Sequence, residues 1–151
     1  MTNHSLTPFT DRGLTEMQIV LTERIDPEMK KLLSYATSEQ KIEREYHKYI
    51  QDPDRCLYVM DEYVGCIGVH FFSRTSCKIT HLAVSPSHRQ KHIATKMIHF
   101  ICFQHPHIQS ITAETDRDGV GFYRRYGFSI KTLGETYPGV ERFSCVYRIN
   151  K

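Results

Sequence analysis

The stretch HLAVSPSHRQKHIATKM, residues 81–97, joins three patterns in direct succession. It begins with an apolar run that is typical of a buried strand, made up of Leu82, Ala83 and Val84. Pro86 interrupts that run, and apolar residues then recur at helical spacing from Ile93 to Ile101. The stretch therefore predicts a strand that passes through a short basic turn into a helix.

The remainder of the chain predicts strands and helices in mixed order. Apolar runs predict seven strands, at residues 18–24, 56–60, 64–72, 78–84, 108–115, 128–133 and 141–149. Helical spacing predicts four helices, at residues 27–36, 38–50, 94–103 and 118–126. The late strands alternate with helices, which allows two neighbouring strands to run parallel, and ligands favour the carboxyl ends of such strands. We therefore predict a mixed α/β sheet with helices packed on it.

Length and composition narrow the class of protein. With 151 residues, of which 40% are apolar and 25% charged, the chain is typical of one globular domain. A formal charge of +3 is too small to favour a nucleic-acid partner, for which a clustered basic face is expected. No apolar run approaches the roughly 20 residues that a membrane span requires. We expect neither nucleic acid nor membrane as a partner.

The N-terminus and the cysteines bear on processing and compartment. Residues 1–17 show little apolar periodicity and no secretory signal pattern, so we predict a weakly structured or extra leader there and a single domain over residues 18–151. The five cysteines form no C-x-x-C pair and are odd in number. Free thiols in a reducing, cytoplasmic compartment are the better interpretation.

The basic turn between the strand and the helix favours a phosphate ligand. A helix N-terminus presents unpaired N–H groups and a partial positive charge, and together these bind anions. Arg89 and Lys91 add cations there, as does His92 when protonated, and the small Ala94 lets a ligand approach the backbone. A pyrophosphate would suit this site. The alternative is a solvated basic helix start that has no ligand.

At these residues the chain resembles the GNAT superfamily of N-acetyltransferases, and small single-domain bacterial members in particular. The family's acyl-CoA motif is a strand of LAV type followed by Arg/Gln-x-x-Gly-x-Gly/Ala at a helix start. Here the motif reads Arg89-Gln90-Lys91-His92-Ile93-Ala94, followed by Thr95. His92 stands where the family usually has glycine. Its Cβ would narrow the cradle if the backbone needs positive φ, whereas a helical backbone would accept it and gain a donor.

A second motif supports the resemblance. FYRRYGF, residues 122–128, is similar to the family's F-Y-x-x-x-G-F signature, in which a tyrosine at the position of Tyr123 often acts as general acid. Local capping also accounts for part of it, since Gly127 suits the end of a helix and Phe128 suits the contact that closes a Schellman motif. Together the two motifs imply a GNAT-type acyl-CoA N-acyltransferase fold over residues 18–149.

The resemblance implies direct transfer of an acetyl group from acetyl-CoA to an amine, with CoA as product and no metal. A backbone N–H of residues 82–84 would polarise the thioester, and Tyr123 would protonate the leaving thiolate. It also implies a set of cofactor-binding positions, namely Leu82, Ala83, Val84, Arg89, Gln90, Lys91, His92, Ile93, Ala94, Thr95, Asp116 and Tyr123.

The sequence does not decide which residue is the general base. Glu114 near a strand end and His81 on the preceding strand are both candidates, and an ordered-water relay is a third possibility. Asp116 either orients the cofactor or caps the following helix. Lys78 stands where some relatives carry a glutamate base. His105 and His107 resemble a metal pair but have no further ligand at suitable spacing.

The sequence says less about the amine that accepts the acetyl group than about the cofactor. In the family, the first two helices and the last strand-to-strand loop line its site, which here contributes acidic and aromatic side chains: Glu39, Glu43, Tyr46, Glu135, Tyr137 and Glu141. These favour a cationic amine on a small molecule or a protein, and surface solubility accounts for them nearly as well. We expect a monomer or homodimer. The alternative function is an acyl-CoA sensor without turnover.

Overall fold

The computed structural model describes residues 17–149. Seven strands are hydrogen-bonded in the order β1-β2-β3-β4-β5-β7-β6. The strands are β1 (Met17–Ile19), β2 (Arg55–Met60), β3 (Gly65–Phe71), β4 (Ser76–Val84), β5 (Ser110–Asp116), β6 (Ser129–Tyr137) and β7 (Val140–Arg148). The helices are α1 (Pro27–Leu33), α2 (Ile42–Gln51), α3 (Ile93–Gln104) and α4 (Arg117–Tyr126). The predicted mixed sheet with four helices, in the predicted element order, is confirmed.

The sheet combines antiparallel hairpins with a parallel pair of strands. β2 and β3 form an antiparallel hairpin around a short 3-10 turn, Asp61–Tyr63, in which Glu62 has φ of 61°. β4 and β5 run parallel over Ser76–Lys78 and Ser110–Thr112, with α3 in the connection between them. β6 and β7 form a second hairpin, whose turn contains Gly139 at φ of 81°. Gly139 follows Pro138 with positive φ, as the third residue of a type II turn requires.

The chain divides into two compact units. One comprises the described residues up to His70 together with Thr80–Pro106, and the other comprises Phe71–Ile79 and the described residues from His107 onward. The core of the first unit lies between α1, α2 and the sheet. Its buried members include Met29, Leu33, Ile42, Tyr46, Leu57 and Ala83. None of the helices within residues 17–149 has the length and apolar character that a membrane span requires.

Several predicted boundaries were wrong. The first strand ends at Ile19 rather than at residue 24, because the following residues bond to the sheet only through Val20 N–H to Leu57 O, at 2.8 Å. α1 ends at Leu33, before Ala36, and the second helix begins with a 3-10 turn, Glu39–Lys41. The start of α1 is confirmed, since Asp26 accepts a hydrogen bond from Glu28 N–H at 2.8 Å. The proposed leader lies outside the described residues except for Met17, so it stays a prediction.

Candidate functional site

The turn between β4 and α3 has an unusual backbone. A 3-10 turn, Pro86–His88, leads to extended Arg89, and Gln90 and His92 then adopt left-handed conformations with φ of 65° and 61°. Residues in alternating left- and right-handed conformations tend to direct successive N–H groups into one concavity. α3 begins at Ile93, and no side chain caps its N-terminus. Its first N–H groups therefore stay available to an external acceptor.

The structure shows which of the two backbone conformations considered for His92, positive φ or helical, the residue adopts. It is not yet helical but left-handed, which is the conformation that explains a family preference for glycine. A non-glycine residue in this region carries a strain of order 1–2 kcal/mol. The backbone of the turn thus has the shape expected with glycine, and the side chain of His92 is exposed.

The cations of the turn differ in how firmly they are held. Arg89 donates from Nε to the carbonyl of Val84 at 3.2 Å, and its guanidinium lies 5.5 Å from the ring centroid of Tyr35. These contacts orient Arg89 toward the end of β4 even though it is exposed. Lys91 is exposed as well. The turn therefore combines one oriented and one solvated cation.

The end of β4 offers a backbone donor. Ser85 N–H donates to Val64 O at 2.8 Å, on the side of β3. Because successive N–H groups of a strand point to opposite edges, the N–H of Val84 points away from β3. Leu82 shares this direction by the two-residue repeat of a strand. The role of a backbone N–H of residues 82–84 as a donor to the thioester stays a prediction.

In the second unit, Tyr123 lies near the end of α4. Phe128 N–H donates to Tyr123 O at 3.0 Å and Gly127 N–H donates to Arg124 O at 3.2 Å, which is the Schellman pattern. Gly127 has φ of 122°, and the rings of Tyr123 and Phe128 lie 5.0 Å apart. The predicted helix cap at Gly127 and Phe128 is confirmed. The contact with Phe128 also gives the ring of Tyr123 a packing role. The hydroxyl is what packing leaves unexplained.

The hydroxyl of Tyr123 stays protonated. The side chain is only 7% exposed, and this burial, with a smaller contribution from Cys145, raises the pKa of Tyr123 above its usual range. The group can therefore donate a proton at neutral pH but cannot act as a base.

Glu114 lies exposed on β5 and forms an ion pair with Lys78, with Nζ and Oε2 3.5 Å apart. Lys78 is thus the ion-pair partner of Glu114, which the sequence analysis gave as a candidate base.

Asp116 caps α4. Its Oδ1 accepts hydrogen bonds from Asp118 N–H and Gly119 N–H, both at 3.0 Å. This geometry is the predicted helix cap, and the cofactor role of Asp116 stays a prediction.

Asp116→Ala is expected to lower the free energy of unfolding by about 1 kcal/mol, because two N–H groups lose their acceptor. Asp116→Asn is the matched control, since asparagine caps a helix nearly as well. Urea denaturation of both variants measures the difference. Equal stability of the alanine and asparagine variants would contradict the capping role.

His81, the other candidate base, is buried within the first unit. Its Nδ1 lies 2.5 Å from Tyr49 Oη, and its Nε2 lies 3.9 Å from Glu45 Oε1. Tyr49 Oη also bonds to Thr80 Oγ1. Burial lowers the pKa of His81, and the nearby Glu45 opposes that shift. The sequence analysis missed Tyr49, Thr80 and Glu45, for which only tertiary contact gives a signal.

Two of the four acidic residues predicted at the acceptor site, Glu43 and Glu141, already have partners. Glu43 lies 3.6 Å from Lys30, and Glu141 lies 3.0 Å from Arg117 and 2.7 Å from the hydroxyl of Thr132. Tyr46 is fully buried and donates to the carbonyl of Thr22 at 2.6 Å. Within residues 17–149, no group of three or more histidine, cysteine or acidic side chains is arranged to hold a metal ion.

Known structures share this fold. The chain aligns with a GNAT family acetyltransferase from Elizabethkingia anophelis with acetyl-CoA bound, at a TM-score of 0.69 and 16% identity, over 88% of this chain and 97% of that one. An aminoglycoside 6'-N-acetyltransferase complexed with coenzyme A aligns at 0.69 and 17%, over 89% and 98%. A Bacillus subtilis acetyltransferase in complex with CoA aligns at 0.66 and 16%, over 89% and 99%.

These likenesses, at such identities, show the fold alone. No curated protein sequence matches the chain significantly. The family evidence comes from a sequence model of the acetyltransferase (GNAT) domain, which matches residues 53–130. That match covers more than half of the chain and contains β4, the left-handed turn, α3 and α4. The chain therefore belongs to the GNAT acetyltransferase family.

Proposed function

We propose that this protein is a cytoplasmic N-acetyltransferase that moves an acetyl group from acetyl-CoA to a primary amine of a small molecule or a protein. The observation that carries the proposal is the left-handed turn at Gln90 and His92, which opens onto the uncapped N-terminus of α3. Such a turn presents N–H donors that suit the pyrophosphate of CoA. Relatives of the same fold that hold acetyl-CoA or CoA support this assignment.

Each chemical task has a group in this chain. Arg89 and Lys91 attract the phosphates, while the N–H groups of residues 93–95 donate hydrogen bonds to them at the helix start. The N–H of Leu82 or Val84 polarises the thioester carbonyl as a preorganised donor. Tyr123, which burial keeps protonated, gives its proton to the departing CoA thiolate. The acceptor amine must lose a proton before or during its attack on the carbonyl carbon.

The test uses the purified protein, acetyl-CoA and a panel of amines. The panel comprises polyamines, aminoglycosides and peptides that differ in their N-terminal residue or contain an internal lysine. Thiol release above the rate without amine identifies the acceptor, and mass spectrometry of the product confirms an added acetyl group. Calorimetry with CoA and acetyl-CoA measures binding separately.

The two candidate functions predict different results. An enzyme binds acetyl-CoA and releases thiol with at least one amine. A non-catalytic sensor with the same fold binds CoA or acetyl-CoA and releases no thiol with any amine in the panel. A protein that binds neither ligand would overturn both, and with them the assignment of the turn.

His92→Gly is expected to raise the affinity for CoA by about 3- to 10-fold, because glycine adopts positive φ without strain and leaves the concavity open. His88→Gly is the matched control, since His88 lies in the preceding 3-10 turn without a positive φ. Isothermal calorimetry of both variants measures the difference. An affinity that is unchanged or weaker in His92→Gly would show that the imidazole is a useful part of the site.

A further inference from the structure

A chain of polar side chains crosses the buried layer between β4 and α2. It begins at Thr80, which is half-buried on β4, and passes through the hydroxyl of Tyr49, which is only 5% exposed. It continues through His81, 6% exposed, with 2.5 Å between Tyr49 Oη and Nδ1. It ends at Glu45, whose side chain is 18% exposed and whose Oε1 lies 3.9 Å from His81 Nε2. The four side chains connect two partly accessible ends through a buried middle.

The sheet makes room for this chain. A Cβ at Gly68 of β3 would lie 2.0 Å from Tyr49 Oη and 2.3 Å from its Cζ, so any larger residue would displace the ring. The absence of a side chain at position 68 therefore lets the hydroxyl of Tyr49 reach Thr80 and His81. Packing alone does not require this, because a phenylalanine and an alanine could fill the same volume at less cost in buried polar groups.

The direction of the hydrogen bonds follows from the charges around His81. Burial raises the pKa of Tyr49, so its oxygen keeps one proton. If Tyr49 donates to Nδ1, the proton of the neutral ring is on Nε2, where it faces the carboxylate of Glu45. The opposite arrangement would turn the lone pair of Nε2 toward that carboxylate. The favoured order is therefore Thr80 O–H to Tyr49 O, Tyr49 O–H to His81 Nδ1, and His81 Nε2–H toward Glu45.

Other charges near His81 act in both directions. Lys48 and Arg55 oppose a proton on His81, whereas Glu45 favours it. Glu45 is itself held by Lys48 at 3.0 Å and lies 3.9 Å from Arg44 Nε. The carboxylate thus stays ionised and fixed in place, ready to face an imidazolium.

We propose that Thr80, Tyr49, His81 and Glu45 form a proton relay that takes up the proton of the acceptor amine. The inference rests on the proposed acetyltransferase function. The amine N–H proton passes to Thr80 Oγ1 as the Thr80 proton passes to Tyr49 Oη and the Tyr49 proton passes to His81 Nδ1. Each hydroxyl ends with one proton, the amine gains its lone pair and the imidazole becomes an imidazolium beside Glu45. The imidazolium then loses one proton to solvent past Glu45, and the ring returns to its Nε2–H tautomer before the next turnover.

This relay explains why neither nitrogen of His81 is open to a substrate. Tyr49 occupies Nδ1, and Nε2 faces Glu45. His81 is therefore not a direct base but the proton store at the end of two hydroxyls. Thr80 is the only member that meets the amine in this scheme, and Tyr49 transmits the proton.

One arm of the test needs no acceptor. Nitrogen-15 NMR of the free protein, with His81 assigned by comparison with His81→Gln, reports which ring nitrogen carries the proton. We expect the Nε2–H tautomer in the wild type, and we expect Tyr49→Phe to abolish the hydrogen-bond shift of Nδ1. A wild-type ring with its proton on Nδ1, or one that does not respond to Tyr49→Phe, would overturn the relay whatever the activity.

The second arm uses the fastest amine from the panel. Tyr49→Phe and Thr80→Val are expected to lower kcat at pH 7 on the order of 100-fold, the lower end of general-base effects, whereas Thr80→Ser recovers most of the loss. The loss shrinks as pH approaches the pKa of the amine, about 10.4 for a lysine-like group, because the amine is then already neutral. Tyr58→Phe is the control, since Tyr58 is also buried and bonds a histidine, His105 Nε2, at 3.0 Å.

Outcomes of this arm separate the relay from the wider function. Calorimetry should give each variant the wild-type affinity for CoA. If Tyr49→Phe turns over as fast as Tyr58→Phe, the relay is refuted while the acetyltransferase function stands. If the wild type binds CoA but acetylates no amine, the proposed function fails and the relay fails with it. A loss of kcat in Thr80→Val that Thr80→Ser does not restore would also refute it.

Discussion

Tyr123→Phe is expected to lower kcat by about 10²–10⁴-fold while the affinity for acetyl-CoA changes little. The substitution removes one hydroxyl and keeps the ring, which lies 5.0 Å from Phe128 in the contact that closes the Schellman motif. A thermal melt should therefore give nearly the wild-type midpoint. Because burial holds the pKa of Tyr123 above its usual range, the group is protonated throughout neutral pH and is available as an acid.

The pH dependence of that loss separates an acid from a packing residue. The thiol of CoA has a pKa of about 8.5 by analogy with cysteine, so at higher pH the thiolate can leave without a proton. The ratio of wild-type to variant kcat should then fall. Tyr126→Phe is the matched control, since Tyr126 lies on the same helix and packs against Phe128 with its centroid 5.6 Å away. Wild-type kcat in Tyr123→Phe across neutral pH would remove Tyr123 from the chemistry.

Arg89→Glu is expected to weaken CoA binding by about 100-fold at low salt. The loss of charge-assisted hydrogen bonds accounts for roughly 1.5–3 kcal/mol, and each 1.4 kcal/mol is a factor of ten in affinity. Repulsion between the new carboxylate and the phosphates adds to this. The effect should shrink with added salt, because exposed charges are screened. Calorimetric titration with CoA at two salt concentrations measures both the loss of affinity and its dependence on salt.

Two further variants distinguish phosphate contact from a change in the turn. Arg89→Ala also breaks the 3.2 Å bond to the carbonyl of Val84 and the stacking on Tyr35, but it introduces no negative charge. It should therefore lose less affinity than Arg89→Glu. Arg74→Glu makes the same change of net charge at an exposed loop position and should bind as the wild type does. Equal CoA affinity in Arg89→Glu and wild type at low salt would move the pyrophosphate elsewhere.

Much of the fold could be predicted from local patterns. The apolar triplet before Pro86, the helical spacing after His92 and the start of α1 at residue 27 each depend on a few neighbouring residues. Each was confirmed in place. The first strand was predicted too long because alternating side chains indicate a strand only where a partner strand also runs alongside. Beyond Ile19 only Val20 bonds to the neighbouring strand.

Some features of the candidate site could likewise be predicted from the sequence, and others could not. By itself the sequence determined the family motifs, the cations of the turn, and the helix end at Gly127, because all of these depend on neighbours along the chain. Only the tertiary structure decided that His92 is left-handed, that Glu114 is paired with Lys78, and that His81 is enclosed by Tyr49 and Glu45. The environments of Glu114 and His81 depend on contacts between residues 32–36 positions apart. A buried histidine and a solvated one look alike in a sequence, because burial and hydrogen-bond partners arise only when distant segments pack together.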